Sequence, residues 1–162
     1  GAFIAALFYT YVPYHALNIY VRGAMNEAWA AVFFPLIFYF SRRVILKKKI
    51  IDILGLGISF TLLFLSHNPM VLTFTPILFV WVIFWLWQTY KLKIKLMIPS
   101  IIKLLFSGLL SFCLAAFFTL PVLFETKLVQ VESMFQNYYS FSAHFVSLNQ
   151  LFFSNLDRKS VV

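Results

Sequence analysis

Long apolar runs alternate with short polar segments along the chain. The runs cover approximately residues 1–14, 24–42, 51–67, 69–90 and 98–124. A run of about twenty apolar residues matches the hydrocarbon core of a bilayer, where a helix satisfies its own backbone hydrogen bonds. The pattern therefore predicts an all-α polytopic bundle with about five transmembrane helices, the first of them truncated.

Composition and charge support the same interpretation. The chain is 62% hydrophobic and only 11% charged, with a mean hydropathy of +0.90. A soluble domain of 162 residues has too little interior to bury that much apolar surface. The net charge is +8, but the basic residues form short clusters between apolar runs. This distribution indicates membrane orientation and favours lipid, not nucleic acid, as the partner.

The basic residues also predict how the chain is oriented. Nine of the 13 lie in or beside two loops on one side: Arg42, Arg43, Lys47, Lys48, Lys49, Lys91, Lys93, Lys95 and Lys103. The positive-inside rule places this side in the cytoplasm. Residues 15–23, 66–68 and 125–162 are then predicted to be extracytoplasmic.

The two ends of the sequence suggest a piece of a longer protein. The chain opens on Gly1-Ala2-Phe3-Ile4, without a basic signal-peptide region.

Within residues 125–162, one helical face is predicted from four apolar residues at spacings of four, three and four: Phe141, Phe145, Leu148 and Phe152. An amphipathic helix at the membrane surface and a helix packed on an outer domain both fit this spacing.

Prolines and a capping residue predict local features of the helices. Asn68 is a good N-cap, and Pro69 is tolerated in the first turn, so a tight hairpin should have His67 and Asn68 at its tip. Three further prolines lie inside apolar runs and should kink or break their helices. They are Pro35, Pro76 and Pro121.

Arg22 is the strongest candidate for binding an anion. It lies just before the second apolar run, where free backbone N–H groups and a planar guanidinium fork suit phosphate or carboxylate. Gly23 should let the backbone approach such a ligand closely. Glu27 follows one turn into the run, where a carboxylate is costly unless it is paired. It therefore either pairs with Arg22 and fixes the start of the helix, or contacts a ligand directly.

Four more polar residues share the predicted outer face. His67 and Asn68 either cap the hairpin or bind a phosphate or sugar, and His67 is also a possible proton relay. Glu125 is an interfacial charge or, alternatively, a base or metal ligand. His144 is a weaker candidate in the tail. The histidines lack zinc-ligand spacing, so no metal site or cofactor is predicted, and a divalent metal has no support in the sequence.

Several short motifs together resemble a known family. The stretch from Pro13 to Ala24 (PYHALNIYVRGA), Leu65–Pro69 (LSHNP), Leu120–Glu125 (LPVLFE) and His144–Leu148 (HFVSL) resemble bacterial membrane proteins labelled "6-pyruvoyl-tetrahydropterin synthase-related". Despite that label, these proteins are similar to the C-type (GT-C) integral membrane glycosyltransferases.

The resemblance implies a fold, a substrate and a site. It implies a GT-C-like helical bundle that uses a polyprenyl-phosphate-linked sugar on the extracytoplasmic face, with Arg22 and His67 facing the lipid-linked phosphate. In that family the usual catalytic carboxylate lies in an outer loop near the N-terminus. The present sequence is expected to lack that loop, so it assigns no catalytic residue. It also names neither the sugar, the acceptor nor the oligomeric state.

Two other functions compete with a glycosyltransferase. A transporter or flippase-like module would place ionisable groups near the bilayer midplane, whereas the apolar runs of this chain hold almost none. A non-catalytic scaffold for cell-envelope assembly would need the same helices without a lipid-phosphate site. Binding of lipid phosphate that depends on Arg22 would count against the scaffold.

Overall fold

The computed structural model describes residues 1–47, 49–91 and 93–125, and these residues form helices and no strands. The helices are α1 (Ala2–Thr10), α2 (Pro13–Ala16), α3 (Met25–Leu46), α4 (Ile50–Ser66), α5 (Asn68–Tyr90) and α6 (Ile94–Phe124). Helix α2 continues into a π-helical turn at Leu17–Val21. The predicted all-helical class is confirmed. The chain divides into two compact units, Gly1–Leu120 and Pro121–Val162, and the packing described below lies within the first.

Three helices are long and apolar enough to cross a membrane. They span Met25–Lys47, Asn68–Tyr90 and Ile94–Phe124. Helix α4 is also apolar but has 17 residues, while α1 has nine and none of them is buried. Large apolar side chains such as Leu72 and Phe117 are more than 70% exposed, as expected for surfaces that face lipid. The chain is thus a multi-pass membrane protein, and the count of five spans remains a prediction.

Helix α3 lies at the centre of the first unit. Its buried residues Ala30, Ile37 and Val44 recur every seven positions, and so do Leu56 and Leu63 of α4. Such spacing produces one continuous stripe along each helix, because seven residues make nearly two turns. These stripes meet in a single core with Ile53, Phe74 and Leu78.

Contacts along the helices fix their relative directions. Arg43 meets Asp52, and the Phe40 ring lies against Gly55, so α3 and α4 are antiparallel. The Phe34 ring stacks on Phe74 at a centroid separation of 4.2 Å, and Phe38 contacts both Phe74 and Trp81. Since later residues of α3 meet later residues of α5, those two helices are parallel. This is the alternation expected of consecutive membrane helices.

Helix α6 packs on α4 through small polar residues. Ser107 Oγ donates to the Ile53 carbonyl at 3.0 Å, and Thr61 Oγ1 donates to the Ser111 carbonyl at 3.5 Å. A Cβ at Gly57 would lie 3.0 Å from Leu110 and 3.4 Å from the Ser107 carbonyl oxygen. Small side chains allow the two backbones to approach closely, which is how helices commonly associate in membranes.

These directions define two ends of the first unit. The basic end carries Lys47, Lys49, Lys91, Lys93 and Lys95, which lie at or beside the helix ends there. Tyr90 Oη donates to the Ile45 carbonyl at 3.0 Å and lies 2.7 Å from Ser100 Oγ, which joins α3, α5 and α6 at this end. The other end, where α3 and α5 begin, is called the Arg22 end below.

Two local predictions need correction. Helices α3 and α5 continue through Pro35 and Pro76, and Pro121 lies within α6, so none of the three prolines breaks its helix. A kink at each of them stays a prediction. The N-cap of α5 is His67, not Asn68, and no side-chain hydrogen bond caps the helix. Helix α5 thus begins one residue earlier than predicted, with Pro69 still in its first turn.

Candidate functional site

The segment before α3 turns sharply and presents Arg22. The Arg22 N–H bonds the Leu17 carbonyl at 2.9 Å, in the wide π-helical pattern, and the Ala24 N–H bonds the Asn18 carbonyl at 2.8 Å. Gly23 has a φ of +62°, a left-handed conformation that a side chain disfavours. A Cβ there would meet nothing within 4 Å. Gly23 therefore serves the turn, and the close approach of a ligand to its backbone stays a prediction.

Arg22 and Glu27 form a two-pronged ion pair. Arg22 Nη1 lies 3.0 Å from Glu27 Oε2, and Nη2 lies 3.1 Å from Oε1. Paired N–H···O bonds of this kind are the strong form of arginine–carboxylate contact. Of the two alternatives for Glu27, the structure realises the pair that fixes the start of α3. A ligand at Arg22 must therefore approach a guanidinium that already has a counter-ion.

Two further side chains complete this cluster. Arg22 Nη1 also donates to Asn18 Oδ1 at 2.9 Å, and Tyr14 Oη donates to Glu27 Oε2 at 3.0 Å. The sequence analysis assigned neither residue to the site. The signal for Asn18 was its position four residues before Arg22, one helical turn away.

Exposure differs across the cluster. The Arg22 side chain is 47% exposed and that of Glu27 is 16% exposed, whereas Asn18 is 1% exposed. The amide nitrogen of Asn18, Nδ2, is buried and has no hydrogen-bond partner. The guanidinium is thus held from its buried side by Asn18 and Glu27 while it remains open to surrounding molecules. An anion can reach Arg22 from that open side.

His67 and Asn68 lie at the tip between α4 and α5. His67 has an extended backbone, with φ −164° and ψ 105°, and its N–H bonds the Leu63 carbonyl at 3.2 Å. His67 Nδ1 and Asn68 Oδ1 are both buried and have no hydrogen-bond partner. Unpaired buried polar atoms are costly, so each of them favours a partner that can supply the missing bond.

The stacked rings of Phe34 and Phe74 show where the tip between α4 and α5 lies along the bundle relative to the Arg22–Glu27 pair. Glu27 lies seven residues before Phe34 on α3, and His67 lies seven residues before Phe74 on α5. Because the two helices are parallel, equal offsets bring Glu27 and His67 to about the same level of the bundle. Within the described residues, however, no hydrogen bond or ion pair joins His67 or Asn68 to Arg22 or Glu27.

The last two candidates, Glu125 and His144, lie outside the first unit. Glu125 is exposed, follows α6, and belongs to the second unit, where its N–H bonds the Pro121 carbonyl at 2.8 Å. His144 and the predicted amphipathic helix lie outside the described residues. In the described ranges, no three His, Cys, Asp or Glu side chains are grouped so as to hold a metal ion.

A second ion pair lies at the basic end. Arg43 Nε is 2.6 Å from Asp52 Oδ1, without the alignment of a hydrogen bond, and Arg43 Nη1 donates to Tyr39 Oη. The Asp52 side chain is only 1% exposed and that of Arg43 is 27% exposed. Asp52 lies in the first turn of α4, where the helix dipole favours a carboxylate. The structure adds a partner on the neighbouring helix.

Comparisons with protein-family models, with curated proteins and with solved structures found no match to this chain. The family resemblance and the GT-C-like fold therefore remain predictions from the motifs.

Proposed function

We propose that this chain acts as a membrane glycosyltransferase-like protein that uses a polyprenyl-phosphate-linked sugar at the Arg22 end. The observation that carries the proposal is the set of unsatisfied groups at that end. Arg22 has an open side, and three buried atoms lack hydrogen-bond partners: Asn18 Nδ2, His67 Nδ1 and Asn68 Oδ1. An amphipathic substrate would supply both the anion and the polar hydroxyl groups that these atoms lack.

The chemistry of the proposed site centres on the leaving phosphate. When the sugar departs, negative charge grows on the lipid phosphate, and a guanidinium already oriented by Asn18 and Glu27 stabilises it without reorganising. The departing phosphate monoester carries up to two negative charges and can accept N–H bonds from the open side of the guanidinium. His67 would then bond a phosphate or sugar oxygen. No residue of this chain is assigned as the base.

Loss of sugar transfer in two variants tests this proposal. In the full-length protein, Arg22→Ala and His67→Ala should each lower transfer about a hundredfold or more, because each removes a group that meets the developing charge. The matched control is Lys95→Gln, which removes a charge at the basic end and should leave transfer unchanged. Membrane insertion must be equal in all variants. Normal transfer by both site variants would rule the proposal out.

One observation favours a non-catalytic scaffold as the second candidate. Glu27 already engages both prongs of the Arg22 fork, so the pair could serve only to fix the start of α3. Glu27→Gln separates the two functions when binding of a polyprenyl phosphate is measured. Under the enzyme proposal this variant frees the guanidinium and tightens binding, whereas a scaffold shows no binding in either form.

A further inference from the structure

Arg42 differs from the other two arginines in the described part of the chain. Arg22 and Arg43 each face a carboxylate, whereas no ion pair or hydrogen bond is formed by Arg42 within the described residues. Its guanidinium instead lies over the Trp85 ring, 4.2 Å from the centroid. Stacking on a ring uses the flat face of the guanidinium and leaves its N–H edge unused. Arg42 is thus an oriented, exposed cation with free donors.

Arg42 also lies where two helix ends are drawn together. It is five residues before Lys47, or about 7.5 Å along the helix from the end of α3. The bond from Tyr90 Oη to the Ile45 carbonyl ties that end to the end of α5, just before Lys91. Lys47 and Lys91 are both exposed. Helices α3 and α5 therefore bring Arg42, Lys47 and Lys91 to one part of the basic end. These residues lie where the apolar part of each helix ends and polar residues begin.

Apolar surface adjoins these cations. Leu46, beside Lys47, is 45% exposed, and Trp87, one turn before Lys91, is 54% exposed. Free phosphate would use the cations and leave this surface unmatched, whereas a lipid with an anionic head uses both. The charge also selects among lipids, because a zwitterionic head carries its own cation next to the phosphate. Basic surfaces between membrane helices commonly bind anionic lipid heads in this way.

We propose that the α3–α5 end binds the phosphodiester head of an anionic phospholipid. The Arg42 fork takes two phosphate oxygens, Lys47 and Lys91 add attraction, and an acyl chain lies against the exposed apolar side chains. This site is at the opposite end of the bundle from Arg22 and does not depend on the proposed sugar transfer. It also differs from general attraction by surface lysines, because one oriented guanidinium carries the directional contact.

Binding of phosphatidylglycerol to the purified full chain tests the proposal. The protein is held in phosphatidylcholine nanodiscs with increasing fractions of phosphatidylglycerol, and bound lipid is counted by native mass spectrometry. Wild type should retain phosphatidylglycerol in preference to phosphatidylcholine. Arg42→Gln should weaken that retention about tenfold or more, which exceeds the roughly fivefold effect typical of one surface charge. No preference for the anionic lipid in the wild type would overturn the site.

Matched variants separate the guanidinium from bulk charge. Lys95→Gln removes one cation from the same end but lies on α6, and it should retain lipid nearly as wild type does. Arg42→Lys keeps the charge without the fork and should still bind several-fold more weakly, which decides the question if Arg42→Gln misfolds. Equal losses in Arg42→Gln and Lys95→Gln, or full retention in Arg42→Lys, would contradict the proposal. If inorganic phosphate competed for this site as well as phosphatidylglycerol does, the site would be a general phosphate site, and the lipid proposal would be excluded.

Discussion

Two arginine–carboxylate pairs in the described part of the chain differ in how deeply they are buried. Arg22 and Glu27 are five residues apart in one segment, and the arginine is 47% exposed. Arg43 and Asp52 belong to different helices, and the carboxylate is 1% exposed. The first pair fixes a local turn and remains open to a competing anion. The second pair joins α3 to α4, and its buried carboxylate is inaccessible to a ligand. Burial therefore distinguishes this structural contact from the candidate site.

The largest effect is expected when the buried carboxylate loses its partner. Arg43→Met leaves Asp52 stranded between two helices, and breaking a buried pair in this way costs about 3 kcal/mol of unfolding free energy. Asp52→Leu should cost less, because the Arg43 side chain is partly exposed and keeps its contact with Tyr39. Unfolding by denaturant in lipid-containing micelles measures both.

The double variant Arg43→Met/Asp52→Leu sharpens this test. Replacing a buried pair by apolar side chains is often neutral, so the double variant should be more stable than Arg43→Met alone. If all three variants unfold at the same denaturant concentration as wild type, Asp52 is not a buried partner of Arg43, and the contrast between the two pairs disappears.

The next effect concerns how closely α3 and α4 approach beside the buried pair. A Cβ at Gly55 would lie 2.6 Å from the Phe40 ring, whereas a Cβ at Gly108 of α6 would meet nothing within 4 Å. Gly55→Val should therefore destabilise the protein by about 1–3 kcal/mol relative to Gly108→Val, which carries the same change in helix propensity. Equal unfolding midpoints for the two variants would mean that Phe40 moves aside without cost.

The sequence predicted the elements that depend on local pattern. The apolar runs located α3 to α6 to within a few residues, because each run forms one continuous helix and the lysines mark its basic end. The pairing of Arg22 with Glu27 was also foreseen as one of two alternatives, since residues this close along the chain meet whatever the rest of the fold does.

Contacts between distant residues could not be predicted in the same way. Nothing in the spacing of Arg43 and Asp52, or of Arg42 and Trp85, selects those partners, because lateral packing of membrane helices depends on which faces meet. Likewise, Asn18 and Tyr14 joined the Arg22 cluster through a π-helical turn that apolar periodicity does not reveal. The sequence therefore predicted Arg22 as a candidate, whereas the contacts of Asn18 and Tyr14 around it depend on the turn.

The smallest effect should come from the exposed pair, and salt distinguishes it from the buried one. A double-mutant cycle on Arg22→Ala and Glu27→Ala should give a coupling of about 0.5–1 kcal/mol, because partial exposure screens the charges. At 1 M NaCl the Debye length is about 3 Å, so this coupling should fall. The corresponding cycle on Arg43 and Asp52 should be larger and change little with salt, since ions do not reach the buried carboxylate. Equal salt dependence of the two couplings would show that the pairs share one environment, and that burial is not what leaves Arg22, unlike Arg43, open to an anion.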